Sequence, residues 1–375
     1  MVSRMRAALP FLAIGACALA VQSAWNVRRI RRPRPTGTQL AESVTVAIPA
    51  RNEEATLRAT LDSVRSQQGV PRLSIHVLDD GSADRTGEIA DAAAREDPRV
   101  HVHHHPDTDP PPGWLGKNYA CMNLARESDS DVLVFIDADV LLEPAAINAL
   151  VAELRAGDFA LVAPYPRQIA ITWLERLMQP LLAWSWMTTV PLRVAESRQW
   201  ASMSVANGQL MVFDAQAYRA IGGHEAVRGE VIEDVALMRS VREAGLRAAT
   251  VAGATVAQCR MYEDSSDLIE GYTKSAWNAF GGLAGSIAVN TAMLALYVAP
   301  PVAVLIGRGR TRKWGALGYL GAVTGRAVVA RDRGERVWPD ALAHPASIVA
   351  FVAINALSWS RHVRGTTSWK GRTLQ

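Results

Sequence analysis

Residues 131–140 read DVLVFIDADV: five apolar residues in a row, then Asp137 and Asp139 with one alanine between them. A near-continuous apolar run of this kind is the pattern of a strand buried on both faces, as in a parallel sheet covered by helices. Carboxylates set so close to a buried strand are costly unless a cation or partner neutralises them. The strand, expected over 131–139, therefore predicts a fold and raises the question of what the two acids hold.

Working outward, the same alternation of strand and helix recurs. VTVAIP at 44–49 reads as a strand, and Leu57, Leu61 and Val64 share one face of a helix expected over 53–68. LSIHVLDD at 73–80 is a second strand, followed by a helix pattern over 81–96. RVHVHHH at 99–105 alternates like a third strand, and GKNYACMNLARES at 116–128 is helical. Strand–helix alternation predicts an α/β fold with a mostly parallel sheet. Open parallel sheets bind ligands at the carboxyl ends of their strands. Three polar segments fall there: Ala50–Glu53, Asp79–Asp80 and Asp137–Asp139.

The 375 residues are 49% apolar, with the apolar residues concentrated near the ends. Residues 8–25 and 281–306 contain no charge, and 314–325 and 341–359 are nearly as apolar. Arg4 and Arg6 precede the first run, whereas RRIRRPR at 28–34 supplies five arginines after it. That asymmetry predicts an uncleaved anchor with its carboxyl-terminal side in the cytoplasm. The expected layout is an anchor (1–27), a basic juxtamembrane linker (28–43), a catalytic domain (44–280), a membrane cluster (281–362) and a basic tail (363–375). The protein is thus expected in the cell membrane, multi-pass, with its catalytic domain cytoplasmic. A net charge of +4, much of it flanking apolar runs, points to anionic lipid rather than nucleic acid. Cys17, Cys121 and Cys259 suggest neither a disulfide framework nor a zinc site.

A D-x-D at a strand end can hold Mg²⁺ or Mn²⁺, which use few protein carboxylates and complete their shells with water and phosphate oxygens. It can equally be two solvated turn acids. In VLDDGSADRT at 77–86, Gly81–Ser82 reads as a turn and Asp84–Thr86 as the start of a helix, which is also ordinary turn and capping chemistry. Taken together, AIPARNEEATLRATLDSV (47–64), VLDDGSADRT, GWLGKNYAC (113–121) and VFIDADV (134–140) resemble, in content and order, the family 2 glycosyltransferases of the GT-A fold. NGQLMVFDAQAYRAIGGH (207–224) and VIEDVALMRSVREAGLR (231–247) resemble the family's acceptor-side segments.

The resemblance implies inverting transfer of a sugar from a UDP- or GDP-sugar to an acceptor hydroxyl or phosphate. It implies a nucleoside-binding rim at Ala50, Arg51, Glu53 and Asp80, and a nucleotide-side contact at Lys117, which can also be read as a plain helix-start lysine. It makes Asp137 the ribose or metal–water partner and Asp139 the direct metal ligand. Asp234, in the first turn of an expected helix where the dipole favours a carboxylate, would be the general base, and Glu233 would orient it or the acceptor. Gly208 and Gln209 would floor the acceptor site, and Arg260 would face the diphosphate. The Q-x-x-R-W string of processive cellulose and hyaluronan synthases is missing; CRMYEDSSDLIEGYTKSAWNAF (259–280) stands in its place, which favours transfer of a single sugar. GWLGKNYA and CRMY resemble carotenoid (diaponeurosporenoate-type) and hopanoid-associated glycosyltransferases, which implies a lipid acceptor. A polyprenyl-phosphate sugar transferase and a non-catalytic membrane scaffold remain alternatives.

Other stretches are less decisive. In 168–192, Trp173, Leu177, Leu181 and Trp184 at helical spacing predict one helix, either core or interfacial. His101, His103 and His105 share one strand face, without the partners a metal site requires. Residues 281–306 are long enough to span a bilayer. Pro300–Pro301 and the basic RGRTRK at 308–313 suggest either a re-entrant pair or a span that violates the charge rule. Arg326 inside the next apolar run predicts a cavity or a polar partner.

Overall fold

The computed structural model describes residues 2–366, 368–369 and 372–373, with side chains from 7 to 366. The chain divides into two compact units. One comprises Ile30–Arg167 and Val194–Met261; the other comprises Met1–Arg29, Gln168–Arg193 and Tyr262–Gln375. Gln168–Arg193 and Tyr262–Phe280, expected within the catalytic domain, thus group with the terminal segments.

In the first unit the strands are β1 (Val44–Ala50), β2 (Leu73–Asp80), β3 (Val100–His105), β4 (Val132–Ile136), β5 (Val140–Leu142), β6 (Leu161–Tyr165), β7 (Arg167–Gln168, at the boundary of the units), β8 (Leu210–Asp214), β9 (Ala248–Ala252) and β10 (Ala257–Cys259). Seven of them form a sheet in the order β3-β2-β1-β4-β8-β6-β9. Pairs β1–β2, β2–β3, β1–β4 and β6–β9 are parallel, whereas β8 runs antiparallel to both neighbours. The order 3-2-1-4 reverses direction at β1, so β1 and β4 flank a topological switch point, where such sheets open a crevice.

β4 is buried along its whole length, as its apolar run predicts. Val132, Val134 and Ile136 join the apolar cluster on one face of the sheet, and Leu133 and Phe135 join the cluster on the other. β4 ends at Ile136, earlier than expected, because Asp137–Asp139 form a turn before β5. β1 instead runs through Pro49 to Ala50. Pro49 lies beyond Val44–Ala47, the stretch paired with β4, where a missing N–H is tolerated. The helix after β1 starts later than its pattern predicts, at Leu57, whereas the helix after β2 starts at Thr86, within the expected start at Asp84–Thr86. The intervening backbone is committed elsewhere: the Glu53 amide donates to Thr86 Oγ1 (2.7 Å) and the Glu54 amide to Asp84 Oδ2 (3.1 Å).

The second unit is helical. Val2–Arg29 packs against Arg310–Arg333 and Pro180–Thr189. Backbone approach is close: a Cβ on Gly321 would lie 3.0 Å from the Cys17 amide nitrogen, the small-residue contact that lets apolar helices pack tightly. Asn26, fully buried, donates to the carbonyls of Met187 and Val190 (both 2.7 Å) and accepts from the Leu192 amide (3.1 Å). Arg326 is 1% exposed and donates to the Arg176 carbonyl (3.3 Å), the polar partner its apolar setting requires.

The single helix expected over 168–192 is two, Trp173–Met178 and Pro180–Thr189. Pro180 takes the first turn of the second helix, where its absent N–H costs nothing. Trp173 faces out while Leu181 and Trp184 are buried, so the four residues form no common stripe. Leu283–Ile306 is one helix rather than a re-entrant pair; a π turn at Leu294–Val298 precedes Pro300–Pro301 and accommodates them. Ala7–Arg29 and Leu283–Ile306 are the two helices long and apolar enough to cross a membrane among the described residues. Every exposed large apolar side chain described, apart from Val194 and Trp200, belongs to this unit.

Candidate active site

The residues with chemical potential all lie in the sheet unit, on the rim at the switch point. After β1, the Arg51 guanidinium binds the carbonyls of Asp80 and Gly81 and the Asp107 carboxylate (3.0 Å). Asn52, held at a φ of 53°, accepts from the Ala83 amide through its side chain (2.9 Å), and its own amide donates to Ser82 Oγ (3.0 Å). After β2, Gly81 is indispensable in form: its φ is +66°, and a Cβ there would meet the Asp107 Cα at 2.5 Å. Ala50, Arg51, Glu53 and Asp80 therefore form one cross-linked rim, with Ala50 and Asp80 buried.

The D-x-D turn is held from three sides. Thr60 Oγ1 donates to the Ala138 carbonyl (2.8 Å), and the Asp137 amide donates to the Gln209 carbonyl (3.0 Å). The third restraint is Lys117, whose ammonium lies 2.7 Å from Asp137 Oδ1 and 3.1 Å from Glu233 Oε1. It also donates to the Gly208 carbonyl (3.3 Å). Desolvation lowers the Lys117 pKa, but the two carboxylates outweigh it and hold the group well above its ordinary value. Lys117 thus brings the sequence's two acidic motifs together.

Asp234 stands in the first turn of Glu233–Glu243. Its carboxylate accepts from the Gly208 amide (2.8 Å) and the Val235 amide (2.7 Å). Burial first, and then the Glu233 charge, raise its pKa to about 6, against the opposing pull of those amides and Lys117. A carboxylate poised there exchanges protons near neutrality, as a general base must.

Gln209 is 2% exposed; its side chain donates to Cys259 Sγ (3.0 Å). Burial first, then Asp139 and Asp137, hold the Cys259 thiol well above its ordinary pKa, so it stays a neutral S–H and hydrogen-bonds Asp139. Cysteine spacing could not reveal this contact, because Cys259 arrives from the end of β10. Asn118 is a second residue that sequence reasoning passed over. It is 1% exposed and donates to the carbonyls of Val227, Arg228 and Glu230, fixing the segment before the E-D pair. Its place beside Lys117 at a helix start was the available signal. Arg260 follows β10 and is exposed.

The histidines of β3 serve packing contacts. The His101 and His103 rings lie 4.9 and 5.5 Å from His76 of β2, and His104 contacts Asp79 (3.3 Å) and Asp91 (3.0 Å). Among the described residues no group of three or more His, Cys, Asp or Glu side chains forms a metal cage. Asp137 and Asp139 nonetheless suit a hard divalent ion that brings most of its own oxygen ligands.

A mostly parallel sheet with a D-x-D turn at its switch point and an E-D helix facing it is the arrangement of the GT-A fold. Residues 45–221 match the model of the glycosyl transferase family 2. The 4,4'-diaponeurosporenoate glycosyltransferase of Staphylococcus aureus (strain USA300) is 28% identical over 344 residues, 88% of each chain. The protein of the same name from strain MRSA252 is 27% identical over 343 residues, again 88% of each. The fold matches a solved mannosyltransferase from Pyrobaculum calidifontis in complex with GDP-Man and Mn²⁺, with a TM-score of 0.60 and 20% identity. That match covers 95% of this chain and 99% of the other.

Proposed function

We propose that the protein transfers one sugar, with inversion, from a UDP- or GDP-sugar to a lipid-like acceptor at a membrane. The observation that carries this reading is the joining of the two acidic motifs through Lys117, with Asp234 raised to about 6 beside them. Inversion needs a base on the side of the sugar opposite the leaving diphosphate, and the half-buried Asp234 is the carboxylate suited to take the acceptor proton. Glu233, paired with Lys117, orients that site. Ala50, Arg51, Glu53 and Asp80 form the nucleoside rim, and Asp137 supports the donor complex. Gly208 and Gln209 floor the acceptor side, and Arg260 faces the diphosphate.

Asp139, with Asp137, would hold Mg²⁺ or Mn²⁺. Such an ion, when bound, neutralises charge on the leaving diphosphate. The mannosyltransferase of similar fold is solved with Mn²⁺, which supports a divalent ion. A lipid acceptor is supported by the diaponeurosporenoate named for the Staphylococcus relative and by the exposed apolar side chains of the helical unit. The five arginines of 28–34 support a cytoplasmic catalytic domain in a multi-pass membrane protein.

The test is a screen of UDP- and GDP-sugars for hydrolysis and for transfer to carotenoid, hopanoid and polyprenyl-phosphate acceptors, with and without Mn²⁺. Transfer to a carotenoid or hopanoid that collapses in Asp234→Asn supports the proposal. Transfer to polyprenyl phosphate that survives in Asp234→Asn overturns the assigned base, and failure to bind any donor overturns the reading.

A further inference from the structure

An ammonium has three N–H donors and no acceptor. Lys117 has three acceptors within the chain: Asp137 Oδ1 at 2.7 Å, Glu233 Oε1 at 3.1 Å and the Gly208 carbonyl at 3.3 Å. These belong to three separate elements: the turn after β4, the loop before β8 and the first turn of Glu233–Glu243. The next residue, Asn118, binds the segment leading into that last helix through the carbonyls of Val227, Arg228 and Glu230. The Leu115 amide adds a 2.9 Å bond to the Arg228 carbonyl. One helix start thus holds both sides of the site by its backbone and by two adjacent side chains.

We propose that Lys117 is a positioning residue, a strut fixing the D-x-D turn against the E-D helix, and not a contact to the donor diphosphate. The inference rests on the catalytic reading of Asp139 and Asp234, and it departs from the expectation of a nucleotide contact. With its donors spent on protein acceptors, the ammonium has no N–H left for a phosphate oxygen unless it abandons a partner. Without the ammonium, Asp137 and Glu233 would repel each other across the gap it fills. The base would then be displaced relative to the sugar, and a misplacement of about 1 Å costs on the order of 100-fold in rate.

The experiment compares the full-length wild type with Lys117→Met and Lys117→Arg. Binding of UDP and GDP with Mn²⁺ is measured by calorimetry, turnover by donor consumption, and backbone mobility by hydrogen exchange. In Lys117→Met the expected result is a kcat lower by about 100-fold with nucleotide Kd changed less than about threefold. Exchange in segments 207–214 and 231–237 should quicken by about tenfold or more, while β1 is unchanged. Lys117→Arg, which keeps the charge and can span the same acceptors, should restore most of both. Nucleotide binding weakened by about tenfold or more with unaltered exchange in those segments would overturn the strut in favour of a diphosphate contact. Unchanged kcat and exchange would overturn it outright. Should the wild type bind neither nucleotide, the catalytic reading fails, and the exchange comparison by itself still decides the strut.

Discussion

The Gly208 amide donates a 2.8 Å hydrogen bond to Oδ2 of Asp234. The backbone of the loop before β8 therefore aims the Asp234 carboxylate, while the Gly208 carbonyl accepts from Lys117. One residue without a side chain is shared by the acid–base group and the ammonium that links it to the D-x-D turn.

The raised pKa of Asp234 has consequences for rate and stability. As the proposed base, Asp234 works when ionised, so kcat/KM should rise with pH through about 6 and then level. For stability the sign is opposite. The folded state holds this proton more tightly than the unfolded state, so the stability it contributes is fully present below the unfolded value of 3.8 and is lost as pH rises through the folded value of about 6. Asp234→Asn should lower turnover by about 10²–10⁴-fold and leave nucleotide binding intact. It should also raise the melting temperature at pH 7.5, a gain that shrinks toward pH 4. A mutant equally active at pH 7.5 removes Asp234 from the mechanism.

Asp139→Ala should reduce transfer by on the order of 100-fold or more, as loss of a ligand to a charge-neutralising ion requires. Chelation of the wild type by EDTA should do the same, with recovery on adding Mn²⁺. Circular dichroism and membrane attachment should be unchanged in the mutant, because Asp139 lies in a turn at the rim of the sheet unit. Retained Mn²⁺-stimulated activity in Asp139→Ala would remove it from the metal site.

Gly208→Ala tests the closeness of the contacts at Gly208. A Cβ at Gly208 would stand 3.0 Å from Glu233 Oε1 and 3.3 Å from Lys117 Nζ, so the Lys117–Glu233 pair must give way. Turnover should fall by about tenfold or more with little change in melting temperature. Steady-state kinetics beside a thermal melt would check both.

In the helical unit, Asp340 receives Arg176 through two contacts, Nε at 2.9 Å and the second guanidinium nitrogen. Asp340 is 7% exposed, so its loss leaves an arginine without its paired acceptor at a site largely closed to water. Asp340→Ala should destabilise the protein by about 1–3 kcal/mol. A melt in detergent reads this directly, while nucleotide binding should be unaffected.

Membrane attachment has its own test. The protein should sediment with membranes and resist alkaline carbonate extraction. A cysteine placed in 35–40 should react with a membrane-impermeant maleimide only after the cytoplasmic side is exposed. Labelling from the outside would reverse the proposed orientation.

Much of the sheet unit was legible because its signals are local. The apolar run of β4 announces a strand buried on both faces, and the strand–helix alternation announces parallel pairing. Element boundaries were less legible because long-range bonds set them. The helix at Leu57 starts late since the amides of Glu53 and Glu54 are bound to Thr86 and Asp84, and no pattern within 53–68 encodes that. Pro180 was visible in the sequence, yet the apolar spacing around it suggested one helix where its missing N–H and fixed φ start a second.

The sequence by itself determined the alternating α/β order, the motifs on one rim and the apolar terminal segments, since each depends on composition and spacing along the chain. Only the tertiary structure decided who touches whom. It gave Lys117 three acceptors from three elements, placed Cys259 beside Asp139, and set the Gly208 amide on Asp234. Hydrogen bonds and charge pairing act over a few ångströms, and residues far apart in sequence reach that range only when the sheet brings its strand ends together.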